Sequence, residues 1–214
     1  MRCQAGVTAD DTHRLGAALA QMHLAGAGEE APAGRFVFGA LLGRLERIAS
    51  SGDPRFALLV PALRSSLERA HEERDLDLPS GLMHGDLFRD NVLWDVRGEV
   101  AALLDFESAC QGTYVYDLMV TVLSWCFRDD FDPRLASALR EGYERVRPLS
   151  EPESRALCAE GSFAALRFAI TRITDYAMRT GTGPRVVKDW TRFSKRFERL
   201  QALGEHGVRA LLGR

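Results

Sequence analysis

The stretch HGDLFRDNVL, His84 to Leu93, packs two carboxylates, an imidazole, a guanidinium and a carboxamide into ten residues. Loops rich in Asp, Asn and Gly are often plain turns, because these side chains hydrogen-bond their own backbone. The flanks point to more. Apolar GLM precedes the stretch, VLW closes it, and a further run, VAALLDF, follows a Gly-containing turn at VRGE. Two short apolar runs joined by such a turn predict a small antiparallel hairpin. A hairpin brings its ends together, so Asp105 at the end of the second strand can face the loop that carries Asp86 and, five residues on, Asn91. Glu107 lies two residues further along.

Three oxygen-bearing side chains around one cavity suit Mg²⁺, which takes few protein ligands, keeps several waters and completes its shell with substrate phosphates. Asp105 would bring charge. Asn91 would add a neutral ligand that does not repel a polyphosphate. Asp86, left off the metal, can accept a hydrogen bond from an attacking hydroxyl and take up its proton during phosphoryl transfer.

The rest of the chain reads as helix. Thr8 or Asp10 can cap a helix running to about Ala25, since Leu15, Leu19, Met22 and His23 share one face. Helical patterning recurs at Phe38–Ile48 and Arg55–Glu73, then at Tyr116–Phe127, Pro133–Val146, Glu151–Met178 and Arg185–Leu203, with a capping box at Ser150 and Glu153. The expected architecture is one domain, residues 1–214, of α+β class and mostly helical. Residues 1–78 form a helical part, 79–107 the polar loop and hairpin, and 108–214 a second helical part. His23 reads as a packed core histidine, and His13, His71 and His206 as surface residues. Trp94, Trp125 and Trp190 read as core or interface aromatics.

Composition excludes several classes. The chain has 214 residues, 46% hydrophobic and 27% charged, enough for a real core. A net charge of −2 gives no electrostatic reason to expect nucleic acid or an anionic membrane as partner. The basic TRFSKRFERL alternates with Phe193, Phe197 and Leu200 as an amphipathic helix does. No apolar run is long enough to span a bilayer, and no apolar secretory core opens the chain, so a cytoplasmic location is expected. Cys3, Cys110, Cys126 and Cys158 are scattered and read as reduced, mostly buried thiols.

The combination H-G-D-x-x-x-x-N, then D-F-E, then Y-D-L resembles the catalytic loop and metal-binding segment of protein-kinase-like small-molecule kinases, the aminoglycoside phosphotransferase and choline kinase group. Within it, HGDLFRDNVLW, ALLDFESAC, YDLMVTVLSWC, LRFAITRITDYAMR and KDWTRFSKRFERL look most like ThrB-type homoserine kinases, over roughly Asp10 to Leu200. The resemblance implies ATP as co-substrate, Mg²⁺ on Asn91 and Asp105, and Asp86 as the group that orients and deprotonates a small-molecule alcohol. It implies that His84 braces the loop, that Asp117 steadies it from below, and that Arg89 lies near the acceptor. Glu107 is a weaker candidate for the metal. One departure concerns the acceptor: Leu123 and Ser124 stand where the homoserine kinase pattern has Asn-Asp before Trp-Cys. Another small alcohol or amino alcohol therefore stays open beside homoserine.

A kinase of this kind covers the phosphates with a glycine-rich turn and reaches them with a strand lysine. No G-x-G-x-x-G occurs here, and the only lysines are Lys188 and Lys195. The expectation is the C-terminal lobe of the protein-kinase-like fold, with the N-terminal β lobe absent through truncation or loss. An exposed hinge surface could then bind that lobe or a second copy. The competing readings are a non-catalytic remnant that binds nucleotide or protein, and metal-dependent phosphoester hydrolysis by Asp86, Asp90, Asp105 and Glu107.

Overall fold

In the computed structural model, residues 6–178 and 188–214 are described. Cys3 and the first residues of the helix expected from Arg185 lie outside them. Helix α1 (Ala9–Ala25) starts at Thr8, whose side chain accepts from the Asp11 amide while Asp11 reaches back to the Thr8 amide, so Thr8 and not Asp10 is the cap. Helix α2 spans Phe38–Ser50. The helix expected from Arg55 to Glu73 is broken into α3 (Pro54–Ala57) and α4 (Val60–Glu72). Pro61 is the cause: in a continuous helix its ring would collide with the carbonyl four residues back, at Ala57, where α3 ends.

Strand β1 (Ser80–Met83) leads into the polar loop, and β2 (Val92–Trp94) pairs with β3 (Val100–Leu103) as the expected antiparallel hairpin. A second pairing extends the β region beyond residue 107: β1 runs antiparallel to β4 (Cys110–Thr113). In sequence, the polar loop runs from β1 of one strand pair to β2 of the other, and Asp105 lies between β3 and β4. Helices α5 (Tyr114–Trp125), α6 (Pro133–Glu144), α7 (Glu151–Arg172) and α8 (Thr191–Leu211) follow. The capping box at Ser150 and Glu153 starts α7. A π-helical turn, Ile173–Ala177, ends the run that was expected to continue helically to Met178. Helix α8 passes the expected stop at Leu203 through a kink at Gly204.

All residues of α5 are buried, and α7 is buried along most of its length, so these two helices are the core against which the others pack. Buried charge there is paired: the Arg74 guanidinium holds the Glu160 carboxylate through two bonds of 3.0 and 2.9 Å. His71 is a correction to the surface reading, since it stacks on Phe38 at 4.1 Å and faces Phe163. Cys110 and Cys126 are buried free thiols and Cys158 is half-buried. No helix of the described residues is long and apolar enough to cross a membrane.

Helices α1 and α6 approach closely because glycines face each other's backbone. A Cβ on Gly142 would stand 1.8 Å from the His13 carbonyl oxygen, and one on Gly16 would stand 2.0 Å from that of Leu139. Neither backbone can yield without separating the helices. Gly142→Ala should therefore lower the unfolding free energy by about 1–3 kcal/mol, read as a lower urea midpoint. Gly39→Ala, at an open position of α2 where alanine favours helix, should leave that midpoint unchanged or raise it slightly.

Candidate active site

The loop from His84 to Asn91 is fixed from beneath by one carboxylate. Asp117, buried in the first turn of α5, accepts the His84 amide at 2.6 Å on one oxygen and the Gly85 amide at 2.8 Å on the other. Gly85 makes this possible, because the chain turns there at φ +74°, in the left-handed region that favours glycine. His23 on α1 closes the arrangement from behind. Its Nε2 lies 3.0 Å from Asp117, and its Nδ1 lies 2.7 Å from the Tyr143 hydroxyl of α6. Burial alone would raise the Asp117 pKa. The His23 hydrogen bond, the attraction of His23 and His84 and the Gly85 amide outweigh it and hold the carboxyl below its ordinary value.

His84 links the loop to the hairpin. Its Nε2 lies 2.8 Å from the Leu104 carbonyl and its Nδ1 accepts the Asp86 amide at 3.3 Å, an arrangement satisfied by the Nε2–H tautomer. Asn91 donates through Nδ2 to the Asp86 carbonyl at 2.8 Å, while its own carbonyl accepts the Leu104 amide at 2.9 Å. Asn91 thus ties Asp86 to Leu104, the residue before Asp105. The Asn91 amide nitrogen is spent on that bond, which leaves its side-chain oxygen as the free donor atom. Asp105 sits at φ 61° with an exposed carboxylate. A free carboxamide oxygen and a carboxylate with no ion pair among the described residues are donors of the kind that fit Mg²⁺, a hard cation content with one or two protein ligands when phosphate and water complete the shell. Among the described residues no three His, Cys, Asp or Glu side chains gather as a metal site, so the larger ligand set required by two-metal hydrolysis is not assembled there.

The Asp86 side chain opens into a cavity of about 240 Å³, lined also by Phe88, Glu107, Phe168 and five cationic side chains: Arg35, Arg44, Arg167, Arg172 and Lys188. Arg167 reaches Asp86 at 3.5 Å. Glu107 faces this cavity with an exposed side chain. Arg89, expected near the acceptor, is not among the residues that line this cavity. Its guanidinium donates to the Trp125 carbonyl at 2.9 Å, at the C-terminal end of α5, where a cation meets the negative end of the helix dipole. Nor does Ser124 reach the cavity: it is buried and bonded to the Leu87, Val120 and Thr121 carbonyls. The departure at Leu123 and Ser124 is thus one of packing beneath the loop. Sequence reasoning missed Arg167 as a site residue, although an arginine inside the apolar run LRFAI was a visible signal.

The fold is shared with solved structures. An aminoglycoside phosphotransferase from Alicyclobacillus acidocaldarius superposes with TM-score 0.63 at 19% identity, over 96% of this chain and 67% of that one. An ethanolamine kinase from Plasmodium vivax does so with TM-score 0.64 at 14% identity, over 90% and 59%. The chain belongs to the phosphotransferase enzyme family, whose model matches residues 4–149. Among curated relatives, the homoserine kinase of Gluconobacter oxydans is 40% identical over 167 residues, which are 76% of this chain and 52% of that protein. The chain spans about half the length of the curated relatives it matches.

Removing the Asp117 carboxylate leaves two buried amides and His23 without an acceptor. Asp117→Ala should cost about 3–5 kcal/mol in denaturant unfolding at pH 7. Because the folded pKa lies below the unfolded one, the stabilisation is complete above the unfolded value of about 3.9 and fades as pH falls through the folded one. The gap between wild type and variant should therefore shrink when the same titration is run below about pH 4.

Proposed function

We propose that this chain carries the catalytic loop of an ATP-dependent phosphotransferase acting on the hydroxyl of a small molecule, homoserine or a related amino alcohol or alcohol. The observation that carries the reading is the attachment of Asp86. Its backbone is held on both sides, by the Asn91 side chain at its carbonyl and by His84 at its amide, while its side chain faces a cavity. A general base needs that combination of fixed position and open access. The names of the curated relatives support homoserine as acceptor.

In this reading the acceptor enters the cavity and offers its hydroxyl to Asp86, which orients it and takes its proton. The hydroxyl oxygen forms a bond to the γ-phosphorus of ATP as the bond from that phosphorus to the bridging oxygen breaks, and ADP leaves with the electron pair. Asn91 and Asp105 would hold Mg²⁺, which supplies neutralisation of phosphate charge when bound with the nucleotide. His84 and Asp117 act through the loop as positioning residues. Leu104 and Phe106, which flank Asp105, are 36% and 44% exposed. These apolar side chains are suited to burial under a phosphate-covering lobe or a second copy.

The test uses protein expressed from the complete reading frame that contains this chain. With Mg·ATP and homoserine it should release ADP in an alcohol-dependent way. Asp86→Ala should reduce turnover by about 10²–10⁴-fold, and Asp105→Ala should also weaken Mg·ATP binding. Unchanged turnover in both variants would defeat the reading. Nucleotide binding without turnover on any alcohol would favour a binding module instead.

A further inference from the structure

The cavity beside Asp86 holds more positive charge than its walls neutralise. Arg167 is the clearest case. It is 3% exposed, and its guanidinium lies between the rings of Phe36 and Phe168, 4.0 and 3.9 Å from their centroids. Its one carboxylate neighbour among the described residues is Asp86, at 3.5 Å, and its buried Nε–H has no hydrogen-bond partner. Desolvating a guanidinium costs several kcal/mol unless a well-placed anion offsets it. Two phenyl faces and a distant carboxylate oxygen offset little of that.

Arg172 repeats the pattern in the same cavity. Its guanidinium sits over Phe193 at 4.4 Å and donates to the Asp189 carbonyl at 2.9 Å, with no carboxylate at ion-pair distance among the described residues. Burial, with repulsion from Arg192, pushes its pKa down to about 10. Elsewhere in the fold, buried charge is matched by a carboxylate, as in Arg74–Glu160 and Arg147–Glu153, or met by backbone carbonyls, as at Arg196, which donates to those of Leu123 and Arg192. Even within the cavity the Asp175 carboxylate is taken up by Arg44 at 2.5 Å. Arg167 and Arg172, neither with a close carboxylate partner among the described residues, thus stand together where the acceptor would stand, in a chain whose acidic residues outnumber its basic ones by thirty to twenty-eight.

We propose that Arg167 and Arg172 form a clamp for a carboxylate carried by the acceptor, which makes the substrate a small hydroxy acid, a zwitterionic amino acid included, and excludes purely cationic alcohols. The proposal rests on the phosphotransfer reading for the hydroxyl's position near Asp86 and adds the group that selects the molecule. A guanidinium fork matches a carboxylate in shape and charge, and the pair strengthens in a dry, aromatic-walled site. The size agrees: about 240 Å³ is below the ~300–1,000 Å³ of sites for drug-sized ligands, so a molecule of few carbons fits. Such an anion would also compete with Asp86 for Arg167. The acceptor would then draw Arg167 away from the base.

The test is a binding experiment on the 214-residue chain without nucleotide, by calorimetry, with L-homoserine, homoserine carboxamide and ethanolamine as probes. The carboxamide differs only in the missing negative charge. Homoserine should bind about 10–100-fold more tightly than the carboxamide, and ethanolamine weakest. Arg167→Gln and Arg172→Gln should each collapse the ratio of acid to amide. A merely structural role would weaken both ligands alike and leave the ratio standing. Arg172→Gln removes the less buried of the two arginines, so its thermal melt should stay near wild type even where that of Arg167→Gln falls. Equal binding of acid and amide, preference for ethanolamine, no binding of any probe, or an unchanged ratio in both variants would overturn the clamp. Failure of the broader reading looks different: selective binding of homoserine with no phosphate transferred to any alcohol by the complete protein.

Discussion

A single buried carboxylate carries the geometry of the site. Asp117 holds two consecutive amides of the loop, and its first-turn position on α5 anchors that loop to a helix with no exposed residue. An unpaired carboxylate there would be expensive to bury, so its partners are obligatory. They come from three separate elements: the loop itself, His23 on α1 and, one step further back, Tyr143 on α6. The close glycine-mediated packing of α1 on α6 is thus part of the site, because it sets where His23 stands. A loosening of that distant contact would be felt at Asp86 through a chain of hydrogen bonds with no slack at 2.6–3.0 Å.

Much of this was legible in the sequence, for identifiable reasons. The β2–β3 hairpin announced itself through two apolar runs and a Gly-containing turn, and the polar loop through the density of side chains that turns do not need. Family membership followed from motif spacing. Strand β4 was hidden because CQGT has little β-propensity, and it becomes a strand only by pairing with β1. The break between α3 and α4 was legible in Pro61, but the apolar periodicity on both sides drew attention away from it. His71 looked like a surface residue because its sequence neighbours are charged, whereas Phe38 covers it from another helix.

The site residues divide along the same line. Asp86, Asn91 and Asp105 are close in sequence or joined by a short hairpin, so local reasoning could gather them. Arg167 and Arg172 are some eighty residues away from Asp86 and lie on a helix buried on most sides, where amphipathic pattern vanishes and an arginine cannot be assigned to a face. Arg89 shows the converse. It stands within the motif, yet the carbonyl at the end of α5 draws it away from the cavity. Proximity in sequence places a backbone, and the charge environment then decides where a long side chain goes.

The two kinds of buried charge in this fold point to a division between holding and selecting. Matched pairs such as Arg74–Glu160 and Arg147–Glu153 satisfy themselves, so they fix helices together and remain indifferent to any ligand. Unmatched groups keep an interaction in reserve. Asp86 has a fixed backbone and a side chain whose one ion-pair contact among the described residues stands 3.5 Å away, at the edge of ion pairing. A tight Asp86–Arg167 pair would make a weaker base, since a guanidinium held against the carboxylate favours its ionised form and lowers its affinity for the hydroxyl proton. The guanidinium stays over the faces of Phe36 and Phe168, 4.0 and 3.9 Å from their centroids, and 3.5 Å from Asp86. The cavity therefore retains both an available base and an available cation, the combination required to bind a molecule that carries a hydroxyl at one end and a negative charge at the other.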